Sequence, residues 1–253
     1  MSMPGAIHLL GVPVHRVTMA GTVDLVCGYM AGSRVHQIAT VNPEFVMKAQ
    51  EDAHFKQVLQ RADLCIPDGV GLLYAARRYG QRLPERVPGS ELVYHLAEAA
   101  AAYGWRLFLL GAQPGVAGEA AEKLCQRYPG LQIAGTYAGS PDPAEDEAIV
   151  ARINASRAGL LYVAYGAPRQ DKWIARNRDR LETVRVAIGV GGALDFIAGK
   201  AVRAPVWLRR LNLEWLYRLV REPWRWRRML ALPRFAWRIL WTPYSPAAEE
   251  RQR

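Results

Sequence analysis

No apolar run in the sequence approaches the ~18 residues needed to span a bilayer. The segment from Met1 to Arg16 has no basic stretch ahead of its apolar residues, so a cleaved secretory leader is not expected. Cysteine is scarce. Cys27, Cys65 and Cys125 are far apart and odd in number, which gives neither a disulfide framework nor a metal-ligand spacing and points to a reducing cytoplasm. The sequence lacks a Gly-x-Ser-x-Gly elbow, a His-Glu-x-x-His helix, a Walker loop and a Gly-x-Gly-x-x-Gly fingerprint. It also lacks any Asp-x-Asp pair, and its five histidines (8, 15, 36, 54, 95) do not cluster. No metal and no other cofactor is therefore expected. There is no fixed-period repeat and no low-complexity linker before residue 200.

Acidic residues are also scarce toward the C-terminus, and that scarcity divides the chain. From Arg203 to Trp241 ten arginines face only Glu214 and Glu222, which accounts for +8 of the formal net charge of +10. The same stretch holds six of the eight tryptophans. Residues 1–202 are thus a nearly neutral body and residues 203–253 a basic appendage. Leu208, Leu211, Trp215, Leu216, Leu219 and Val220 in the appendage have helical spacing, and Pro223 interrupts it. A solvated basic helix and an RNA-binding surface both fit such a segment. The density of indoles favours an anionic membrane surface, where Trp and Arg settle in the headgroup layer, and no nucleic acid is expected as a partner.

The 253 residues suit one large α/β domain or two small lobes. Ile7 to Val14 reads as a hairpin, Thr18 to Ala31 as a helix, and Val35 to Val41 as a strand. Pro43 opens a helix predicted to run to about Arg61. Leu64–Ile66 reads as a strand, Val70–Tyr79 as a helix, and Ser90 as the cap of a helix reaching Ala102. The rhythm then repeats. Strands are predicted at 106–110, 131–134, 159–165 and 184–190, with helices at 116–128, 143–156, 168–181 and after Gly192. This alternation predicts an α/β body with a parallel sheet covered on both faces.

Ligands of such sheets bind at the carboxyl ends of the strands. Four polar clusters fall there: Thr40 with Asn42, Asp68 with Gly69, Gly166 to Gln170, and Gly191-Gly192 with Asp195. The turns at Gly111–Gly115 and Gly189–Gly192 suit a phosphate held by backbone amides, and they suit equally a tight turn that needs glycine for its geometry. Asp68 fits a helix N-cap, and it also fits a general base at a strand mouth.

Eight segments, in order, carry a resemblance. They are Thr40–Pro43, Ala62–Gly69, Arg86–Gly89, Leu109–Gly115, Tyr165–Trp173, Gly189–Asp195, Gly199–Pro205 and Glu214–Leu219. Together the chain resembles the WecG/TagA/CpsF glycosyltransferases of bacterial surface polysaccharides and wall polymers. Asp171 departs from the Glu usual in that family and keeps its charge. The resemblance implies a Rossmann-like body with a helical C-terminal appendage. It also implies inverting, metal-independent transfer from a UDP-sugar donor, N-acetylmannosamine or a related hexose being the best match, to a polyprenyl-diphosphate-linked sugar acceptor. The expected location is peripheral, on the cytoplasmic face of the inner membrane. By the same resemblance Asp68 is the general base, and Thr40, Asn42, Arg86 and Gln170 are pocket positions. Arg218, Arg225 and Arg228 are expected to reach the acceptor diphosphate. Gly111, Tyr137, Gly191, Gly192 and Asp195 are expected on the donor side. The reading that competes with transfer is a basic RNA-binding, or non-catalytic nucleotide-binding, α/β protein.

Overall fold

The computed structural model describes residues 4–201, 205, 208, 214–221 and 226–244. A short hairpin, β1 (Ala6–Leu9) and β2 (Val12–His15), precedes helix α1 (Met19–Met30). Strand β3 (His36–Val41), helices α2 (Pro43–Glu51) and α3 (Ala53–Arg61), strand β4 (Leu64–Pro67) and helices α4 (Val70–Arg78) and α5 (Gly89–Tyr103) follow. The second half contains β5 (Arg106–Gly111), α6 (Val116–Arg127), β6 (Gln132–Tyr137), α7 (Asp146–Ser156), β7 (Leu160–Ala164), α8 (Arg169–Asn177), β8 (Val186–Gly189) and α9 (Ala193–Ala198). Both halves share one six-stranded parallel sheet of order β4-β3-β8-β7-β5-β6, a Rossmann-like α/β architecture.

The period-2 geometry of strands sends alternate side chains to opposite faces. In β7, Leu160 and Tyr162 join one core with Leu92, Leu96 and Leu124 of α5 and α6. Leu161 and Val163 join another with Ile149, Ile153 and Trp173 of α7 and α8. The Tyr162 hydroxyl donates to the Val93 carbonyl at 2.9 Å, which satisfies a polar group in the first core and ties α5 to the sheet.

Three local readings are corrected. The single helix predicted from Pro43 to Arg61 is broken at Asp52, whose side chain accepts the Phe55 amide at 2.9 Å and restarts the chain as α3. Ser90 does not cap α5, because it lies inside a helix whose N-cap is Pro88. Strand β6 runs on to Tyr137, held by parallel pairing with β5 across a register shift at Leu107/Phe108.

The predicted boundary at 202/203 lies outside the described residues. The last helix, Ala231–Trp241, packs on α2 and α4. Its Phe235 and Ile239 are buried with Phe45, Val46 and Leu72, so this part of the appendage completes a core. Asp171 in α8 is also fully buried, and neither carboxyl oxygen has a hydrogen-bond partner among the described residues. Burial pushes its pKa up to about 7.

Two outcomes follow from this packing. Phe235→Ala lowers the unfolding free energy by about 3 kcal/mol in denaturant titrations, the usual scale for an emptied core site. Trp237→Ala, on the exposed face of the same helix, changes it by less than about 0.5 kcal/mol. For Asp171, the unfolded carboxyl ionises near pH 4, roughly its ordinary value, while the folded one holds its proton to about pH 7. The stability due to the neutral acid is complete below the first value and is lost as pH rises to the second. Asp171→Asn therefore gains melting temperature relative to wild type between pH 5 and pH 8, and parallel curves over that range refute the assignment.

Candidate active site

The carboxyl ends of β4, β3, β8 and β7 open into a cleft of about 420 Å³. Asp68 reaches it through sheet register. Val41 pairs with Pro67 in the parallel ladder, and the Asp68 amide donates to the Val41 carbonyl at 2.8 Å. The Val87 amide donates to the Pro67 carbonyl at 2.8 Å, which straps the loop bearing Arg86 alongside. Asp68 and Arg86 both line the cleft. The residue at the N-cap of α4 is Gly69, so that position does not account for Asp68.

Two further lining residues already use part of their polar groups inside the protein. The Thr40 hydroxyl donates to the Gly189 carbonyl at 3.2 Å, joining β3 to β8 at the cleft floor. Asn42 is the N-cap of α2, where its Oδ1 accepts the Phe45 amide at 3.0 Å. These bonds leave the Asn42 amide nitrogen and the Thr40 oxygen lone pairs as the parts suited to a ligand.

Gln170 is committed more completely. Its Oε1 accepts the Gly166 amide at 3.1 Å and the Gly191 amide at 2.9 Å, so one carbonyl joins the turn after β7 to the turn after β8. Only 1% of the residue is exposed. Gly189 leaves room for this arrangement, because a Cβ there would stand 2.5 Å from Gln170 Nε2.

The expected donor-side residues are spread along the sheet edge. Gly191 and Gly192 line the cleft. Asp195 sits in the first turn of α9, with Oδ2 3.5 Å from where a Gly192 Cβ would lie. Gly111 and Tyr137 end β5 and β6, beyond the lining residues. Gly111 has φ +98°, and a Cβ would lie 2.8 Å from the Ala164 carbonyl carbon, so packing against β7 accounts for this glycine. The Tyr137 ring lies 4.5 Å from the Arg152 guanidinium. Arg218 lies on helix Glu214–Arg221 and Arg228 on helix Trp226–Met229. Their side chains, and Arg225 as a whole, lie outside the described residues.

Sequence reasoning passes over several lining residues. Arg169 stands within the Gly166–Gln170 cluster but is not singled out there, and Phe196 directly follows Asp195. Met229 and Leu232 come from the appendage, where no local signal separates a cleft wall from a membrane-facing helix. Among the described residues no group of three His, Cys, Asp or Glu side chains is placed to hold a metal ion. The cleft thus combines two carboxylates, Asp68 and Glu44, two arginines, two glycine turns and an apolar flank. That set can accept a proton and hold an anionic ligand.

Several curated proteins are similar to the chain. It is 38% identical over 204 residues to an N-acetylglucosaminyldiphosphoundecaprenol N-acetyl-beta-D-mannosaminyltransferase of Bacillus subtilis (strain 168), covering 80% of this chain and 78% of that protein. It is 36% identical, with the same coverage, to the protein of that name from Bacillus spizizenii. A third of the same name, from Staphylococcus aureus (strain MRSA252), is 35% identical over 236 residues, 92% of this chain and 91% of the relative. Residues 7–248 match the glycosyl transferase WecG/TagA/CpsF family along nearly the whole described fold, and the chain belongs to that family.

Proposed function

We propose that the chain transfers N-acetylmannosamine, or a related hexose, from a UDP-sugar to N-acetylglucosamine carried on a polyprenyl diphosphate, with inversion at the anomeric carbon. The observation that carries this reading is Asp68, placed with Arg86, Thr40 and Asn42 in a cleft at the strand mouths of a chain so similar to three such transferases. In the proposed step the acceptor hydroxyl oxygen bonds to the anomeric carbon while its proton passes to the Asp68 carboxylate. The bond from that carbon to the donor diphosphate breaks on the opposite face, and its electron pair leaves with UDP. The transition state has oxocarbenium character, as in glycoside hydrolysis. Asn42 and Thr40 position the sugar, and Gln170 holds the turns around it. Gly191 and Gly192 lie against the donor, with Asp195, Tyr137 and Gly111 on its side of the sheet. Arg218, Arg225 and Arg228 meet the acceptor diphosphate, a task that the planar guanidinium fork suits. No metal takes part, consistent with the missing Asp-x-Asp.

The acceptor lipid requires a membrane contact. No described helix is long and apolar enough to cross a bilayer. The last helix instead exposes Trp237 at 64% and Trp241 at 71%, with Leu240 and Arg238 beside them. We assign this face to the headgroup layer of an anionic membrane, on the cytoplasmic side where nucleotide sugars are found.

The test is transfer to lipid-linked N-acetylglucosamine with UDP release as the readout. Asp68→Asn lowers turnover by at least ~10²-fold, the scale of a lost general base, with an unchanged melting temperature. Near-normal turnover in that variant removes Asp68 from the chemistry. In the same assay the wild-type rate persists in excess EDTA, and a loss reversed by manganese or magnesium overturns the metal-free mechanism.

A further inference from the structure

The cleft is drawn out along the sheet edge. Asp68 follows β4, Thr40 lies in β3, Gly191 follows β8 and Gly166 follows β7, and these strands are neighbours in that order. Strands lie about 4.8 Å apart, so the two ends of the cleft are separated by three spacings, roughly 14 Å. The charges are distributed along this axis. The carboxylates that line the cleft, Asp68 and Glu44, belong to the β4 and β3 end, and the strap through Val87 keeps Arg86 there too. Among the described residues the β8 and β7 end has no lining carboxylate. Its cation among them is Arg169, the first residue of α8, exposed and without a hydrogen bond or ion pair to any of them. The turn beneath Arg169 is fixed, because Gln170 Oε1 holds the Gly166 and Gly191 amides on either side.

In the transfer reading proposed above, on which this inference rests, the acceptor hydroxyl lies beside Asp68. The leaving oxygen departs from the opposite face of the anomeric carbon, toward β8 and β7. We propose that Arg169 binds the donor's diphosphate at that end and neutralises the charge it gains as the glycosidic C–O bond breaks. A bidentate guanidinium contact to phosphate oxygens suits an exposed arginine on a rigid turn.

The experiment uses the full-length chain with UDP and UMP as calorimetric probes, comparing wild type with Arg169→Gln and Arg169→Lys. Arg169 is exposed, so both variants should keep the wild-type melting temperature. The expected result for Arg169→Gln is a UDP Kd raised by about tenfold or more and a UMP Kd changed by less than about threefold, with Arg169→Lys recovering part of the UDP loss. UDP binding equal to wild type overturns the proposal, and so does an equal loss for both nucleotides. A wild type that binds neither probe sinks the transfer reading together with this one. A wild type that binds UDP no better than Arg169→Gln does sinks this one alone.

Discussion

The carbonyl of Gln170 is the contact on which the cleft depends. A parallel sheet delivers its strand ends to one edge, but the turns that leave β7 and β8 have no ladder to hold them. Both need a partner for an amide at the point where the chain reverses. Gln170 supplies one acceptor to both, at 3.1 Å and 2.9 Å, and is itself buried. Losing that carbonyl would remove the partner of two part-buried amides at the cleft edge, each such bond contributing about 0.5–1.5 kcal/mol. The wall that carries Arg169, Gly191 and Gly192 is therefore rigid before any ligand arrives. Preorganisation of this kind lets dipoles and charges act on a reacting bond without first reorganising.

The same economy separates framework from chemistry in the cleft. Gln170 commits its acceptor fully, and Thr40 and Asn42 commit theirs in part, to hold β3, β8 and α2 in place. Asp68, Glu44, Arg86 and Arg169 are the charged groups that line the cleft among the described residues. Loss of activity in a Gln170 variant would for that reason not identify a substrate contact. The buried Asp171 beside it sharpens the point. Burial favours the neutral form of this acid, and it lies one residue from the carbonyl that organises the wall.

Much of this was legible in the sequence where one physical cause acts locally. Alternating strands, the helical spacing from Thr18 to Ala31 and Pro43 at a first turn all produced elements of the predicted type. Seven of the expected site residues line the cleft: Thr40, Asn42, Asp68, Gln170, Gly191 and Gly192 from the polar clusters at the strand ends, and Arg86, which only the family resemblance suggested. What was not legible depends on partners distant in sequence. Asp52 breaks a helix whose apolar stripe continues on both sides, so periodicity conceals the break. The two bonds of Gln170 link turns 25 residues apart, from Gly166 to Gly191, and a residue type does not reveal which partner takes its acceptor. The ten arginines and six tryptophans between Arg203 and Trp241 set the character of the appendage, and they mask Phe235 and Ile239, which are buried against the body.

That burial couples two properties that composition alone treats as separate. On the helix Ala231–Trp241, Leu232 faces the cleft, Phe235 and Ile239 face the core, and Trp237 and Trp241 face outward. Nine residues separate Leu232 from Trp241, a rise of roughly 13–14 Å along one helix. Arg234 pairs with Glu51 of α2 at 2.9 Å, and Arg78 of α4 donates to the Leu240 carbonyl at 3.3 Å, so the helix is fixed to the body near both ends. On the proposed membrane reading, the indoles cannot settle into the headgroup layer without setting the height of the cleft above it. A flexible basic tail would tether the enzyme to the surface and leave its orientation open. A packed helix with one face in the core fixes that orientation, as an acceptor anchored in the bilayer requires.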